Sequence, residues 1–385
     1  MAANEKFLIL NVEPGNVSAL FLDFNEQREL IFEKISEHID LRTFLKSQAR
    51  SISQRSWEGN YFLNSRRRLV VLADATLATT IPVPLDFKRE TTQASAPITE
   101  DEMDDWLHRS MAKIFARCRL EAGRRLGTGE IDTVLVGQRI GRVTVDGHVV
   151  SDLVGRSGKK VSFVTDLTFS NRELSEMLLP FFNAPGEFFF AEGPQARLAA
   201  LARVRALPVN MIVARDGGKS SLFVFEEAEE GCPVVYHEPF PWDPAAVVRQ
   251  IAVDLGVDQI SAEDIYTMYV YGEVSESVKK RLDTIADPSA KRFLQAIDKA
   301  NLRGSVYLDV PRGLPFPLPH RRGKAIIEDF PTEEILLKFG FSARGGRHIT
   351  QHVALRYLAP FFELYFDNNR SELNERLRRK LHWLA

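Results

Sequence analysis

The stretch IDTVLVGQRIGRVTVDGHVVSDLVGRSGKKVSFVTDLTFS, residues 131–170, contains three apolar runs that are separated by turn residues. The runs lie at 132–136, 142–145 and 160–164, and Asp146-Gly147 and Ser157-Gly158 are frequent turn dipeptides. Short apolar runs that end in such turns are typical of antiparallel strands. The stretch therefore predicts a small β-sheet in the middle of the chain.

The segment that precedes this sheet is predicted to be a long helix. Thr99 is a suitable N-cap, carboxylates fill the first turns, and Gly127 can end the helix. Arginines near the end complement the negative pole of the helix dipole. The buried face is predicted from helical spacing and consists of Met103, Leu107, Ile114 and Cys118.

Apolar runs and helical patterns alternate over the rest of the chain. The first 36 residues hold three short runs joined by turns, which predict an antiparallel meander. The uniformly apolar run at 69–73 predicts a strand that is buried on both faces, and residues 77–97 read as loop and edge-strand material. A long charged helix is predicted near 275–300. This order of elements predicts an α/β or α+β fold with a mixed sheet.

The charge balance and the cysteine count exclude several classes of protein. The chain has 385 residues, with 50 Lys and Arg against 52 Asp and Glu, and its formal net charge is −2. This balance argues against a nucleic-acid partner, which usually requires a basic excess. The two cysteines exclude a disulfide scaffold and favour a reducing compartment. Since we find neither a signal peptide nor a long apolar run, we expect a cytoplasmic protein.

The order of these segments resembles the actin-like ATPases, and within them the family of the bacterial division protein FtsA and the pilus protein PilM. Residues 131–170 are similar to the inserted 1C subdomain of that family, where a strand, a V-D-G turn, an N-P-V-G-x-S-G turn and a final strand follow in this order. Residues 190–198 resemble the family's entry into a helix. The resemblance implies a bilobal, ribonuclease H-like α/β fold with a 1C-type insertion and a reduced or absent 2B lobe.

The resemblance also implies a division of the chain. We expect the first part of subdomain 1A at 1–76, the 1C-like insertion at 77–168, the second part of 1A at 169–207, subdomain 2A at 208–346 with a reduced 2B at about 273–303, a closing helix at 347–370 and a C-terminal amphipathic helix at 371–385.

The first nucleotide loop of the family departs from its pattern in this chain. The family has an Asp there that helps to place a hydrated metal ion, and the matching stretch here runs from Asn11 through Gly15 to Asn16. An amide therefore replaces the carboxylate. Metal-assisted phosphoryl transfer requires such carboxylates.

The other two nucleotide loops are also altered. The second loop matches Asp216, Gly217, Gly218, Lys219 and Ser220, but Ala214 and Ser221 replace its two acids. On spacing alone these residues are not a P-loop, and they fit either a plain hairpin turn or a turn that binds phosphate. The third loop keeps Gly313, while Val310 and Pro311 stand where the family has glycine. We expect no catalytic residues, no metal ligands and no cofactor.

The last fifteen residues form a basic amphipathic pattern. If they are helical, their leucines lie along one stripe and their basic side chains cover the remaining surface. Such a helix suits either an anionic membrane surface or the protein's own body, and its position resembles the membrane anchor of FtsA. The residues predicted to contact lipid are Leu373, Arg376, Leu377, Arg379, Lys380, Leu381, Trp383 and Leu384.

These observations predict a non-catalytic actin-like scaffold of a bacterial division, type IV pilus or secretion-type envelope complex. Its partners would be envelope proteins, an anionic membrane on the cytoplasmic side, and further copies of the chain through the 1C-like insertion. One alternative is an ATP-binding switch or ATPase, in which Lys219 holds phosphate and Glu13 or Asp216 replaces the missing acid. The other is a PilM-like adaptor that binds a peptide and no lipid.

Overall fold

The computed structural model describes residues 5–14, 16–24, 27, 29–36, 41–43, 67–91, 93–150, 152–182, 188–214, 220–227, 233–310, 313–344 and 358–362. The chain divides into two compact units. Unit 1 comprises Met1–Ala200, Glu227–Val234 and Thr332–Ala385, and unit 2 comprises Leu201–Glu226 and Val235–Pro331. None of the described helices is long and apolar enough to span a bilayer.

The described residues contain both strands and helices, which agrees with the predicted α/β class. The described strands are β1 (Glu5–Glu13), β2 (Asn16–Phe24), β3 (Glu29–Ser36), β4 (Arg67–Ala73), β5 (Ala78–Lys88), β6 (Thr133–Val145), β7 (His148–Val150), β8 (Lys160–Asn171), β9 (Phe188–Glu192), β10 (Val209–Val213), β11 (Ser220–Glu227), β12 (Pro233–Phe240), β13 (Arg303–Asp309), β14 (Arg321–Arg322), β15 (Lys324–Glu328) and β16 (Ser342–Arg344). The helices are α1 (Glu100–Leu126), α2 (Arg172–Phe182), α3 (Gly193–Ala202), α4 (Ala245–Leu255), α5 (Gln259–Val270), α6 (Glu276–Ala300) and α7 (Thr332–Lys338).

The main sheet of unit 1 has the strand order β16-β3-β2-β1-β4-β9. Strands β1, β2 and β3 form the predicted antiparallel meander, and β4 and β9 continue the sheet in parallel with β1. Ile9 and Leu10 in β1, and Val70 and Val71 in the neighbouring β4, are fully buried. Their uniformly apolar sequence follows from burial on both faces of the sheet.

A second sheet is inserted in unit 1 between β4 and β9, with the strand order β5-β8-β6-β7. Helix α1 covers one face of it, and Met103, Leu107 and Cys118 lie in the shared apolar core, as the helical spacing predicted. Burial raises the pKa of the Cys118 thiol. The helix begins at Thr99, whose side chain accepts a hydrogen bond from the N–H of Glu102, and ends at Gly127 in the left-handed conformation.

One expectation for this insertion is wrong in detail. The runs at 132–136 and 142–145 are not separate strands, because they join in the single strand β6. The pairing of β6 with β8 shifts register between Leu135 and Gly137 and again between Ile140 and Val143, which interrupts the alternation of apolar residues. The stretch 77–97, which was expected to be loop and edge-strand material, does contain an edge strand, the eleven-residue β5.

Strand β5 forms one edge of the inserted sheet and pairs with β8 without a break from Ala78 to Lys88. It contains Pro82 and Pro84, which have no N–H to donate. Proline is tolerated in a sheet where its nitrogen points away from the neighbouring strand. The N–H of Thr80, two residues before Pro82, donates to Glu192 Oε2 at 2.6 Å.

Unit 2 repeats the strand order of unit 1. Its sheet runs β12-β11-β10-β13-β15-β14, with β11 antiparallel to β10, and with β13 and β15 continuing the sheet in parallel. In both units a central first strand therefore has antiparallel neighbours on one side and parallel neighbours on the other. The chain contains no sequence repeat that would have revealed this similarity.

Three helices of unit 2 pack against one another. Helix α6 is the predicted long charged helix, whereas α5 was not predicted. The helices share an apolar cluster that includes Val247 and Ile251 of α4, Tyr266 of α5, and Leu282 and Ile285 of α6.

Candidate functional site

The carboxyl ends of the parallel strands are the usual ligand-binding edge of such sheets. In unit 1 this edge is formed by the ends of β1, β4 and β9, where Val12 lies beside Ala73, and Ala73 lies beside Glu192. In unit 2 it is formed by the ends of β10 and β13, where Val213 lies beside Asp309. Of the predicted loop residues that the structure describes, Asn11 and Asn16 lie at the first of these edges, and Ser220 and Gly313 lie at the second.

At the edge of unit 1, Asn11 is bonded to its own hairpin. The side chain is buried, with 6% of the residue exposed, and its Nδ2 donates to Glu13 Oε1 at 2.9 Å. Asn16 begins β2 and lies opposite Glu13. Gly15 lies outside the described residues.

Two acids at the same edge were not predicted. Asp74 follows β4, and its Oδ1 accepts hydrogen bonds from the N–H and the hydroxyl of Thr76 at 2.8 and 2.6 Å. Glu192 ends β9 and is almost fully buried, with 2% exposed, and it binds the backbone of Thr80. Each acid follows a buried apolar run directly, and this pattern could have revealed both of them.

At the edge of unit 2, Ser220 begins β11. It is buried, with 4% exposed, and within the described part of the chain its Oγ has no hydrogen-bond partner. Its neighbour Ser221 pairs with Val213 at the end of β10. Asp216, Gly217, Gly218 and Lys219 lie outside the described residues. The edge thus presents the buried, unbonded hydroxyl of Ser220, which follows in sequence the stretch that was interpreted either as a plain hairpin turn or as a turn that binds phosphate.

Gly313, the remaining predicted residue of unit 2, lies in a tight turn after β13. Its N–H donates to the carbonyl of Val310 at 2.9 Å, and its own carbonyl accepts a hydrogen bond from the hydroxyl of Tyr266 in α5 at 3.0 Å. Its φ of +74° favours glycine, and an added Cβ would lie 2.6 Å from Val270 Cγ1. The turn is therefore packed closely against α5.

Residues on both sides of this turn pack inward. The side chains of Val310, Leu314, Phe316 and Leu318 lie against the apolar cluster beneath the sheet, which includes Trp242 and Phe293. The ring of Phe316 lies 5.9 Å from that of Phe293. Of these residues, Val310 belongs to the stretch that corresponds to the family's adenosine loop, and the other three follow it directly.

The remaining expectations are that the chain has no metal ligands and that eight residues near its C-terminal end contact lipid. Among the described residues, no three His, Cys, Asp or Glu side chains are grouped so that they could hold a metal ion. The eight residues that were predicted to contact lipid, at 373–384, all lie outside the described ranges.

No family model matches the chain, and no curated protein matches it in sequence. Solved structures do resemble it. A PilM–PilN type IV pilus biogenesis complex is 12% identical, with a TM-score of 0.45, over 97% of this chain and 98% of that chain. The cytoplasmic domain of EpsL, an inner membrane component of the Vibrio cholerae type II secretion system, is 10% identical, with a TM-score of 0.33, over 95% and 98%.

A third similar structure is a protein of unknown function with an actin-like ATPase fold from Bacteroides thetaiotaomicron. It is 10% identical, with a TM-score of 0.28, over 66% of this chain and 79% of that chain. The repeated strand order of the two units agrees with the ribonuclease H-like halves that the sequence resemblance implied. At these identities the likeness concerns the fold alone.

Proposed function

We propose that this chain is a non-catalytic actin-like scaffold of a bacterial envelope complex. The observation that carries the proposal is the hydrogen bond from Asn11 Nδ2 to Glu13 Oε1. The resemblance places a metal-orienting Asp at position 11, and a neutral amide cannot supply that charge. Because the same amide also binds Glu13, the nearest acid that could substitute for the Asp is engaged within its own hairpin.

The packing of the third loop supports the same proposal. An adenine base needs backbone that it can approach closely, which the family provides with glycines. Here the turn at Gly313 is bonded to Tyr266, and its neighbours pack into the core of unit 2. ATP would have to displace these contacts in order to bind as it does in the family.

The proposed partners are envelope proteins of the pilus, secretion or division type. This choice follows the resemblance of residues 131–170 to FtsA and PilM. The similar structures are a PilM–PilN complex and an EpsL domain, and we propose a partner of the class those names describe. The inserted sheet would contact the partner or further copies of the chain, and residues 371–385 would bind an anionic membrane from the cytoplasmic side.

Calorimetry of the full chain with ATP and Mg²⁺ tests the non-catalytic role. We expect no binding heat up to about millimolar ATP, in the chain itself and in its Lys219→Ala variant. Micromolar binding that is lost in Lys219→Ala would overturn the proposal and would make the chain a nucleotide switch. The buried, unbonded hydroxyl of Ser220 is the observation that favours this second candidate.

Co-sedimentation with vesicles tests the membrane contact separately. The full chain should bind vesicles that contain anionic lipid, and Leu377→Glu with Leu381→Glu should abolish binding because both leucines lie on the predicted stripe. Equal binding by the double variant would contradict a lipid role for this segment. Circular dichroism of both proteins provides the control for folding.

A further inference from the structure

Helix α1 carries a row of basic side chains on the side that faces away from the inserted sheet. The opposite side, which includes Leu107 and Phe115, is buried in the core that the helix shares with that sheet. At 3.6 residues per turn, positions 109, 113, 117, 120 and 124 fall within an arc of about 80° and extend over about 22 Å. All five residues are exposed. We call this row the α1 face, and its members are Arg109, Lys113, Arg117, Leu120 and Arg124.

The α1 face lies in a part of the chain whose charge is opposite to that of the whole. Residues 106–126 contain six Lys and Arg against one acid, Glu121, which gives a formal charge of +5, whereas the whole chain has −2. The other acids of the helix lie in its first turns, between Glu100 and Asp105. Beyond these turns the outer surface of the helix is therefore almost entirely positive.

The two central cations of the α1 face are not neutralised by the protein. Arg109 and Arg124, nearer the ends of the row, each have a carboxylate of the same helix as an ion-pair partner. Lys113 and Arg117 lie between them, and neither has an ion-pair partner among the described residues. Both can therefore bind an external anion without giving up an internal ion pair.

Two exposed apolar side chains lie at the C-terminal end of the α1 face. Leu120 is 47% exposed, and Ile131, in the turn that follows the helix, is 76% exposed. Arg119, the neighbour of Leu120, holds this turn against the helix, because its Nε donates to the carbonyls of Glu130 and Thr133, each at 2.9 Å. The two apolar side chains therefore lie at the same end of the row of cations.

We infer that the α1 face, together with Ile131, binds the headgroup region of an anionic bilayer. The cations would contact lipid phosphates and carboxylates, and Leu120 and Ile131 would enter the boundary between headgroups and acyl chains. Apolar side chains next to a basic row are typical of helices that lie on such membranes. Protein interfaces are depleted of charge at their centre, whereas cations occupy the centre of this row, and this favours lipid over an acidic protein.

The inference rests on the proposed function in one respect, since it requires that the chain reaches a membrane. It assigns to the insertion a second lipid contact, separate from the segment 371–385. Each exposed cation near an anionic bilayer strengthens binding roughly fivefold. Four of them correspond to a dissociation constant of about millimolar lipid, so the α1 face adds to the affinity of that segment and does not replace it.

Co-sedimentation of the full chain with vesicles tests the inference. The vesicles consist of phosphatidylcholine with about 30% phosphatidylserine, which gives them a negative surface. Lys113→Gln with Arg117→Gln should weaken binding by about tenfold or more, since two charges are removed, and should make the remaining binding less sensitive to salt. Lys113→Arg with Arg117→Lys keeps both charges and should bind as the unmodified chain does.

The matched control removes one Lys and one Arg from other exposed positions of the insertion. Lys88→Gln lies on β5 and Arg156→Gln lies in the loop before β8, and this pair should leave the affinity unchanged. Leu120→Ser with Ile131→Ser should weaken binding without changing its salt dependence, because no charge is lost. All of these positions are exposed, and thermal unfolding verifies that each variant is folded.

Three results would overturn the inference. They are equal binding by the unmodified chain and by Lys113→Gln with Arg117→Gln, equal weakening by the control pair, and binding of soluble poly-glutamate as tightly as vesicles, which would indicate an acidic protein partner. The failure of the proposed anchor has a different signature. In that case Leu377→Glu with Leu381→Glu would bind vesicles unchanged, while the charge variants of α1 would still bind less. A full chain that binds no vesicles would contradict both contacts.

Discussion

Asp146 and Lys160 are joined in both directions at one corner of the inserted sheet. The N–H of Lys160 donates to Asp146 Oδ1 at 2.8 Å, and the N–H of Asp146 donates to the carbonyl of Lys160 at 2.8 Å. The N–H of Lys159 adds further bonds to the same carboxylate, at 3.0 and 3.1 Å. The turn that ends β6 is thereby tied to the start of β8.

This arrangement predicts a pH dependence of stability. The backbone N–H groups of Lys159 and Lys160 lower the pKa of Asp146 below its ordinary value. A carboxylate of this kind stabilises the fold above its unfolded pKa of about 3.9, and this contribution is lost as the pH falls through the lower folded value. Asp146→Asn should therefore melt at a lower temperature than the unmodified chain at neutral pH, and the difference should vanish in acid. Thermal unfolding of both chains from neutral pH into acid measures this difference, and Glu90→Gln is the control. A difference in melting temperature that does not change with pH would contradict the prediction.

The second prediction concerns the ion pair between Arg89 and Glu102. Arg89 Nε donates to Glu102 Oε1 at 2.7 Å, and the Arg89 side chain is only 2% exposed. Glu102→Ala leaves a buried guanidinium without its carboxylate, and should lower the free energy of unfolding by about 3 kcal/mol. The matched change is Asp105→Ala, whose partner Arg109 is exposed, and it should cost less than about 1 kcal/mol. Urea unfolding measures both, and equal costs would contradict the burial argument.

The third prediction tests the packing of the turn at Gly313. Gly313→Ala combines a left-handed backbone with a collision against Val270. Gly323 also has a left-handed backbone, with a φ of +59°, but a Cβ added there meets nothing within 4 Å. We expect Gly323→Ala to cost about 1 to 2 kcal/mol and Gly313→Ala at least about 1 kcal/mol more. Val270→Ala should recover part of the extra cost in the double variant. If the two alanine variants unfold at the same urea concentration, the turn is not packed against α5 as described.

The fourth prediction concerns Tyr307, which is buried in unit 2. Its hydroxyl donates to Glu328 Oε2 at 2.9 Å and accepts a hydrogen bond from Arg205 Nε at 3.0 Å. Burial, followed by the hydrogen bond to Glu328, raises its pKa to about 12. The neutral phenol stabilises the fold below the unfolded pKa of about 10, and this contribution is lost as the pH rises through the folded value.

Tyr307→Phe should therefore cost about 1 kcal/mol at neutral pH, and the cost should decrease between about pH 10 and 12. Urea unfolding of both chains over this range measures it. Tyr236→Phe, at an exposed tyrosine on β12, is the control and should show neither effect. A cost for Tyr307→Phe that persists in alkali would show that the hydroxyl is not the group responsible.

Local signals were sufficient for part of the fold. Thr99 and Gly127 delimit α1 as predicted, because capping depends on the residues next to the helix end. Helix α5 escaped prediction because apolar residues occur all around it, including the exposed Ile260 and Met268, which obscures the helical period. Strand β15 lies next to a proline-rich loop and pairs with distant β13, and neither feature marks it in the sequence.

The sequence predicted which residues replace the family's in each loop of the candidate site, but not the contacts that those residues make. The replacement of the metal-orienting acid by Asn11 follows from the sequence resemblance, but the bond from this amide to Glu13 does not. Asp74 and Glu192 are far apart in the sequence, and parallel pairing of β1, β4 and β9 brings their strand ends to one edge. Such pairing depends on tertiary structure, which no local pattern encodes.

The prolines of β5 limit how copies of this protein could associate. Thr80, Pro82 and Pro84 alternate along the strand, so their nitrogens face the outer edge of the inserted sheet. The N–H of Thr80 donates to Glu192, and the nitrogens of the two prolines carry no hydrogen. A strand from another molecule would find no donors along this stretch, whereas β7 forms the opposite edge of the described sheet. Association by strand addition would therefore close as a symmetric pair through β7 and would not extend into a filament.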